Sequence, residues 1–228
     1  MARRKKTSVT HSSGWSGAFM VAGVVFALFS LYLFARRGYY NVYIINKVLG
    51  STAAVLAGIT LIMGPIARRT KDMISFLPLR KELGLLALWL ALLHIITSVL
   101  FLPNKFPLSW YQKEWLPIAF GAAAILIWLG IAWLSHEKHI VRLGPRLWRQ
   151  YQSWGGRIAF LLIFFHLVVM KWPGWLRWWN GQVKTSSELT NPNYPPASLF
   201  VLAAMLLVVV IRTYNRFRKR KINRSLPS

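Results

Sequence analysis

Cysteine is absent from the 228 residues of the chain. This absence excludes disulfides, iron–sulfur clusters, thiolate chemistry and the C-x-x-C-H attachment of a c-type heme. The sequence also lacks a G-x-G-x-x-G motif after a predicted strand and a G-x-x-x-x-G-K-[ST] phosphate loop. We therefore do not expect the chain to bind NADPH on its own.

Acidic residues are also scarce, with only five Asp and Glu in the whole chain. All five fall in predicted loops or at the ends of apolar segments: Asp72, Glu82, Glu114, Glu137 and Glu188. Proton pumps and cation transporters commonly place a carboxylate inside the membrane, where it takes part in transport. The distribution of acids therefore disfavours a transporter.

Apolar residues, by contrast, make up 55% of the chain and form long blocks. The formal charge is +24, but Lys and Arg gather at the ends of these blocks, which indicates membrane orientation and not nucleic acid binding. We predict an all-α membrane protein, with a basic cytoplasmic tail over 1–16, a six-helix transmembrane domain over 17–211 and a second basic tail over 212–228. The predicted spans are Gly17–Ala35, Val48–Ile66, Leu83–Leu102, Leu116–Leu134, Gly155–Met170 and Ser198–Ile211.

The cations also predict the orientation, because positively charged loops stay in the cytoplasm. The two tails and the second and fourth connections hold about three quarters of the Lys and Arg residues. We therefore expect both termini to be cytoplasmic, in a multi-pass protein of the inner (plasma) membrane, with the first span an uncleaved signal anchor. The long connection 171–196 is predicted to form an extracytoplasmic lid.

Two histidines, His94 and His166, fall inside predicted spans. An imidazole in the membrane is costly without a partner, and heme iron is a common one. Both helices are predicted to start in the cytoplasm, and both histidines lie roughly 20 Å along them, which is the matched depth that one flat porphyrin requires. The alternative is that each histidine only bonds to a neighbouring hydroxyl or carbonyl. His136 and His139 form H-E-K-H, one residue short of a zinc helix, and a metal role there is disfavoured.

The sequence resembles the ferric-reductase-like transmembrane superfamily, most closely the membrane domain of STEAP metalloreductases. The third predicted span carries Arg80, Lys81 and a Leu-Gly-Leu-Leu segment before His94. The fifth carries Gln152, Ser153, Gly156 and His166, and Tyr194-Pro195-Pro196 precedes the sixth. Residues 63–68 and 143–148 are also similar to the heme-binding subunit of the periplasmic methionine sulfoxide reductase system, which usually has a histidine where this chain has Gln152.

The resemblance implies one heme b with His94 and His166 as axial ligands. Relatives with two hemes carry a second histidine on each of these helices, and neither helix of this chain has one. It also implies a flavin, FAD or FMN, near Arg80, Lys81, Gln152 and Arg157, although these polar groups could instead bind lipid phosphates. STEAP proteins also carry an NADPH-oxidising domain, which we do not expect in this sequence. A cytoplasmic flavin reductase or a quinol is then the expected electron donor.

The expected function is transfer of electrons across the membrane to an outer acceptor, either a ferric or cupric chelate or a periplasmic protein. The basic outer connections would attract anionic chelates. One rival is a dedicated electron donor to a periplasmic methionine sulfoxide reductase, and another is a heme-free transporter or assembly factor. Whether the chain forms a homo-oligomer stays open, and no residue is assigned a catalytic role apart from the heme ligands.

Overall fold

The computed structural model describes residues 13–67, 74, 76, 77 and 79–225. Most of the first basic tail and the cations Arg68, Arg69 and Lys71 of the second connection therefore lie outside the described residues. The described residues form seven α-helices and no extended strand. Their bounds are α1 Ser13–Arg37, α2 Val42–Ala67, α3 Leu79–Ile96, α4 Leu108–Lys113, α5 Trp115–Leu134, α6 Glu137–Trp179 and α7 Ala197–Ser225.

Six of these helices, all except the short α4, are long and apolar enough to cross a membrane. The predicted all-α class and the number of spans are thus confirmed. The first turn of α1 lies beside the first turn of α3, with Gly17 facing Leu79. We call this the predicted cytoplasmic side, and the side where α1 ends the predicted outer side.

Helix α2 is the centre of the bundle and contacts α1, α3, α6 and α7. Its buried face is rich in small side chains, including Thr52, Ala53, Ala54 and Ala57, which allow helices to approach closely in lipid. Gly58 continues this face, because a Cβ there would lie 3.0 Å from the Val208 side chain of α7. Helix α3 packs mainly on α2, and α6 packs mainly on α5. The two predicted ligands, His94 on α3 and His166 on α6, therefore have different neighbouring helices.

Helix α6 is much longer than the predicted span, and it contains a kink at Gly144. Gly144 has φ 75° and ψ 156°, a conformation that glycine adopts without a steric penalty, and Pro145 disfavours a helical residue before it. The helix then continues without a break beyond the predicted end of the span to Trp179. The connection that follows α6, on the predicted outer side, is consequently shorter than predicted and comprises residues 180–196.

This connection caps the end of α1. The main-chain carbonyls of Ala35, Arg36 and Arg37 accept hydrogen bonds from the Asn191 side chain (2.7 Å), the Asn191 main chain (3.0 Å) and the Thr190 hydroxyl (2.9 Å). These are the carbonyls that a helix end leaves without partners. The chain leaves α1 through Gly38 at φ 79°, where a Cβ would collide with Thr190. The connection is therefore fastened to the bundle.

Candidate functional site

His94 lies near the end of α3 on the predicted outer side, and its ring is held against α2. Its Nδ1 lies 2.9 Å from the main-chain oxygen of Asn46. Because a carbonyl only accepts, Nδ1 carries the proton and Nε2 keeps its lone pair. The ring reaches this carbonyl across Gly50, where a Cβ would lie 3.2 Å from Nδ1. The absence of a side chain at residue 50 therefore makes room for the imidazole.

A second set of hydrogen bonds fixes the backbone around His94. The Asn46 side-chain amide, buried with 2% of its surface exposed, donates to the Ser98 hydroxyl at 2.9 Å. Ser98 in turn donates to the main-chain oxygen of His94 at 2.8 Å, beside a π-helical turn over Thr97–Phe101. Asn46 thus contacts the histidine segment through both its main chain and its side chain. Such outer hydrogen bonds orient a ligating imidazole.

His166 on α6 is held against α5 in the same way. Its Nδ1 lies 2.7 Å from the main-chain oxygen of Pro117, so this ring also carries its proton on Nδ1. The ring lies over Gly121, where a Cβ would be 3.0 Å from Nδ1. In both places the glycine follows the accepting carbonyl by four residues, which is one helical turn. The two histidine environments are therefore built alike.

The two imidazoles are close enough to interact electrostatically. Yet α3 and α6 do not pack closely on each other along the described residues, and both histidine side chains are half-buried. Within the described part of the chain, neither Nε2 has a hydrogen-bond partner. Two lone pairs therefore remain free on helices that are held apart inside a membrane bundle.

This donor set fits a heme better than a bare metal ion. No group of three or more His, Asp or Glu side chains that could hold a metal occurs among the described residues. A porphyrin supplies four nitrogens itself, so that its iron needs only two protein ligands. The Nδ1–H to carbonyl bond is the usual outer contact of a metal-bound histidine, and the two glycines leave room for each ring. The residues present thus fit a bis-histidine heme.

The four residues predicted near a flavin lie in different surroundings. Gln152 donates from its amide nitrogen to the main-chain oxygen of Ile131 and to the Ser135 hydroxyl, both at 2.9 Å. It therefore caps the end of α5. The exposed guanidinium of Arg157 lies 5.1 Å from the centroid of the Trp154 ring. Neither of these contacts joins two of the four predicted residues.

Arg80 and Lys81 are exposed at the start of α3. A guanidinium nitrogen of Arg80 lies 3.8 Å from the position of a Cβ on Gly64, near the end of α2. Arg212 of α7 donates to the main-chain oxygen of Leu61 one turn earlier, at 2.6 Å. The last turns of α2 thus bring together cations from α3 and α7. Arg212 was not predicted as a site residue, because in the sequence it belongs to a run of C-terminal cations.

The remaining predicted features lie away from this site. The His139 ring lies 3.9 Å from that of Trp133, and His136 is exposed before the first turn of α6. On the outer side, Lys105 forms an ion pair with Glu188. Their hydrogen bond holds the pKa of Glu188 below its usual value and that of Lys105 above it. Lys105 is thus neutralised and adds little to a basic outer surface.

No protein-family model and no curated protein matches the chain.

Four residues of the site were not predicted from the sequence: Asn46, Ser98, Pro117 and Gly121. Gly50 faces the His94 ring, whereas Gly58 on the same helix faces Val208. The available signal was the same spacing near the start of α2 and of α5: a glycine, Gly50 or Gly121, follows by four residues the residue whose carbonyl accepts from a histidine. This signal becomes readable only once the carbonyl facing each histidine is known.

Proposed function

We propose that the chain is a b-type cytochrome of the membrane, which holds one heme between His94 and His166 and passes electrons from a cytoplasmic donor to an outer acceptor. The observation that carries the proposal is the duplicated imidazole setting. In the alternative, each histidine only donates a hydrogen bond to a neighbouring carbonyl. That role explains the contact of Nδ1 and gives Nε2 no partner. It leaves two unpaired Nε2 atoms inside the membrane, where an unsatisfied polar group costs several kcal/mol.

The residues of the chain have separate roles in this proposal. Asn46 and Pro117 fix the tautomer through their main-chain oxygens, so that Nε2 of each histidine points its lone pair away from the partner helix. These hydrogen bonds also raise the basicity of the imidazoles, which favours the oxidised state of a bound iron. When bound, heme supplies a one-electron couple. The surrounding apolar helices exclude water from it.

The donor enters this proposal at the predicted cytoplasmic side. Arg80 and Arg212 both reach the last turns of α2, and Lys81 is exposed next to Arg80 in the chain. Their positive charge would attract a flavin phosphate or an anionic protein surface. Gln152 serves this side indirectly, because it holds the end of α5 against α6. FAD or FMN remains a proposed cofactor. A quinol or a separate flavin reductase would supply the electrons.

The first test is spectroscopy of the protein purified in detergent, with a pyridine hemochrome assay for heme per chain. We expect about one heme with sharp low-spin bands after dithionite reduction. His94→Ala and His166→Ala should each abolish these bands, whereas His136→Ala and His139→Ala should leave them intact. A wild-type protein that stays free of heme during heme-supplemented expression would refute the proposal and favour the transporter or assembly-factor alternative.

A second test separates the two proposed acceptors. Anaerobically reduced protein is mixed with ferric citrate, and heme oxidation is followed by absorbance. Oxidation by the chelate in the absence of any protein partner supports a metal reductase. Oxidation that requires a periplasmic methionine sulfoxide reductase supports the electron-donor subunit instead.

A further inference from the structure

Two lysines lie within membrane-length helices on the predicted outer side, one near the start of α2 and one in the last part of α6. Lys47 directly follows Asn46 on α2, and Lys171 follows His166 by five residues, about 7.5 Å further along α6. Both side chains are half-buried. The two ammonium groups interact electrostatically, and Lys171 also interacts with both imidazoles. The pair thus lies on one side of the proposed heme.

Neither ammonium is neutralised by the protein. Across the described residues, neither lysine has a hydrogen bond or an ion pair. The charge of Glu114 acts on Lys171 without forming an ion pair, and Glu188, which acts on Lys47, is already paired with Lys105. Even a half-buried ammonium group loses part of its hydration, which is costly unless the group meets an anion. An anionic ligand at this position would remove that cost.

Neighbouring cations increase the need for an anion. Arg37 acts on both lysines, and its Nε is buried without a hydrogen-bond partner. The Tyr43 ring lies among three cations, with Lys47 Nζ 4.1 Å, Lys105 Nζ 5.7 Å and Arg37 Cζ 5.8 Å from its centroid. Cation–π contacts stabilise these groups by about 0.5–2 kcal/mol, less than the cost of burying an ammonium. Tyr43 therefore does not replace a carboxylate.

We propose that Lys47 and Lys171 bind the two propionate carboxylates of the heme, which would orient its propionate edge towards the outer side. This inference rests on the proposed heme site. Heme carries both carboxylates on one edge. Both lysines lie towards the predicted outer side, because Lys171 follows His166 by five residues on α6 and Lys47 is next to Asn46, whose main-chain oxygen holds the His94 ring. A dicarboxylate of this kind matches two separate ammonium groups in charge and number. The carboxylates of a metal chelate such as ferric citrate have the same chemistry, and the test must separate the two.

The test compares heme b with its dimethyl ester, in which both propionates are uncharged. Apoprotein is titrated with each porphyrin in detergent, and the axial-ligation bands are recorded. The wild type should bind heme at least about tenfold more tightly than the ester. The double variant Lys47→Met/Lys171→Met should bind both equally, because it keeps the side-chain length and loses the charge. Lys113→Met, on the exposed surface of α4, is the matched control and should behave as the wild type.

The outcomes distinguish this inference from the proposed function. If the wild type binds heme and the ester equally, or if the double variant loses affinity for both to the same extent, the propionate contact is refuted while the heme site stands. Normal ligation bands of the ester in the double variant would show that it is folded. An increased KM for ferric citrate with unchanged heme preference would assign the lysines to the chelate and refute the inference. Failure of the wild type to bind either porphyrin refutes the heme site itself.

Discussion

Replacing Gly121 by alanine tests the central feature of the site, the direct contact between a helix backbone and an imidazole. The new Cβ would lie 3.0 Å from Nδ1 and 3.3 Å from Cε1 of His166, closer than ordinary side-chain contacts. The ring must therefore retreat by a few tenths of an ångström, which stretches its 2.7 Å hydrogen bond to Pro117. The methyl group of Ala at position 121 would thus displace the His166 ring from the orientation that iron ligation requires.

The cost follows from two effects. Overpacking of a well-filled site costs about 1–3 kcal/mol, and part of a hydrogen bond worth about 0.5–1.5 kcal/mol is lost. If about 1–3 kcal/mol of this falls on the heme-bound state, heme affinity drops about 5- to 150-fold. Titration of apoprotein with heme measures this directly. Gly130→Ala on the same helix is the control, because a Cβ there meets nothing within 4 Å. Equal affinities of the Gly121→Ala and Gly130→Ala variants would refute the reasoning.

Three further predictions concern other parts of the structure. Asn46→Ala removes the side-chain hydrogen bond to Ser98 but keeps the main-chain oxygen that holds His94. Heme should therefore stay bound with a shifted midpoint potential, which redox titration measures. An unchanged potential would count against a positioning role of the Asn46 side chain. Gly38→Ala places an alanine at φ 79°, a backbone conformation that is strained for any residue with a Cβ, and should cost about 1–3 kcal/mol of stability. Its Tm should therefore be lower than that of the control Gly23→Ala, where a Cβ meets nothing within 4 Å. Glu188→Gln should lower Tm slightly between about pH 5 and 9. Because the pKa of Glu188 is lowered and that of Lys105 raised, this difference should be full above the ordinary pKa of a glutamate and should be lost as the pH falls through the lowered pKa of Glu188. It should also shrink in high salt, and a difference that persists after Glu188 is protonated would contradict the prediction.

The spans and the two histidines could be predicted from the sequence because their signals are local. Twenty apolar residues in a row suffice to indicate a span, and a histidine within such a run is conspicuous. The length of α6 could not be predicted in this way. Its first part is rich in Arg and its last part contains Lys171 and several tryptophans, so that hydropathy alone ends the span at Met170. In the structure the helix continues past Lys171 and through Pro173 to Trp179.

The surroundings of the histidines depend on tertiary contacts and were not predictable from local patterns. Gly50 and Gly58 lie on the same helix in similar apolar sequence, yet one faces the His94 ring and the other faces Val208. Their difference arises from the rotation of α2 against α3 and α7. Gln152 shows the same limit, because its sequence position next to predicted cofactor residues did not reveal that its amide caps α5. A resemblance in motif therefore did not fix the role of each side chain.

The similarity of the two histidine settings leads to a last prediction. Helices α2 and α5 both begin at the predicted outer side, and each supplies a carbonyl and, one turn later, a glycine to the histidine helix that follows it. The accepting residue and the histidine are separated by 48 residues in one half and by 49 in the other. If both rings ligate one iron, disturbing either side must weaken the same complex. Gly50→Ala should therefore reduce heme affinity in the same direction as Gly121→Ala, but less strongly, because its Cβ would lie 3.2 Å from Nδ1 and not 3.0 Å. Heme titration of the two variants side by side tests this order, and a loss confined to Gly121→Ala would show that only one histidine binds the iron.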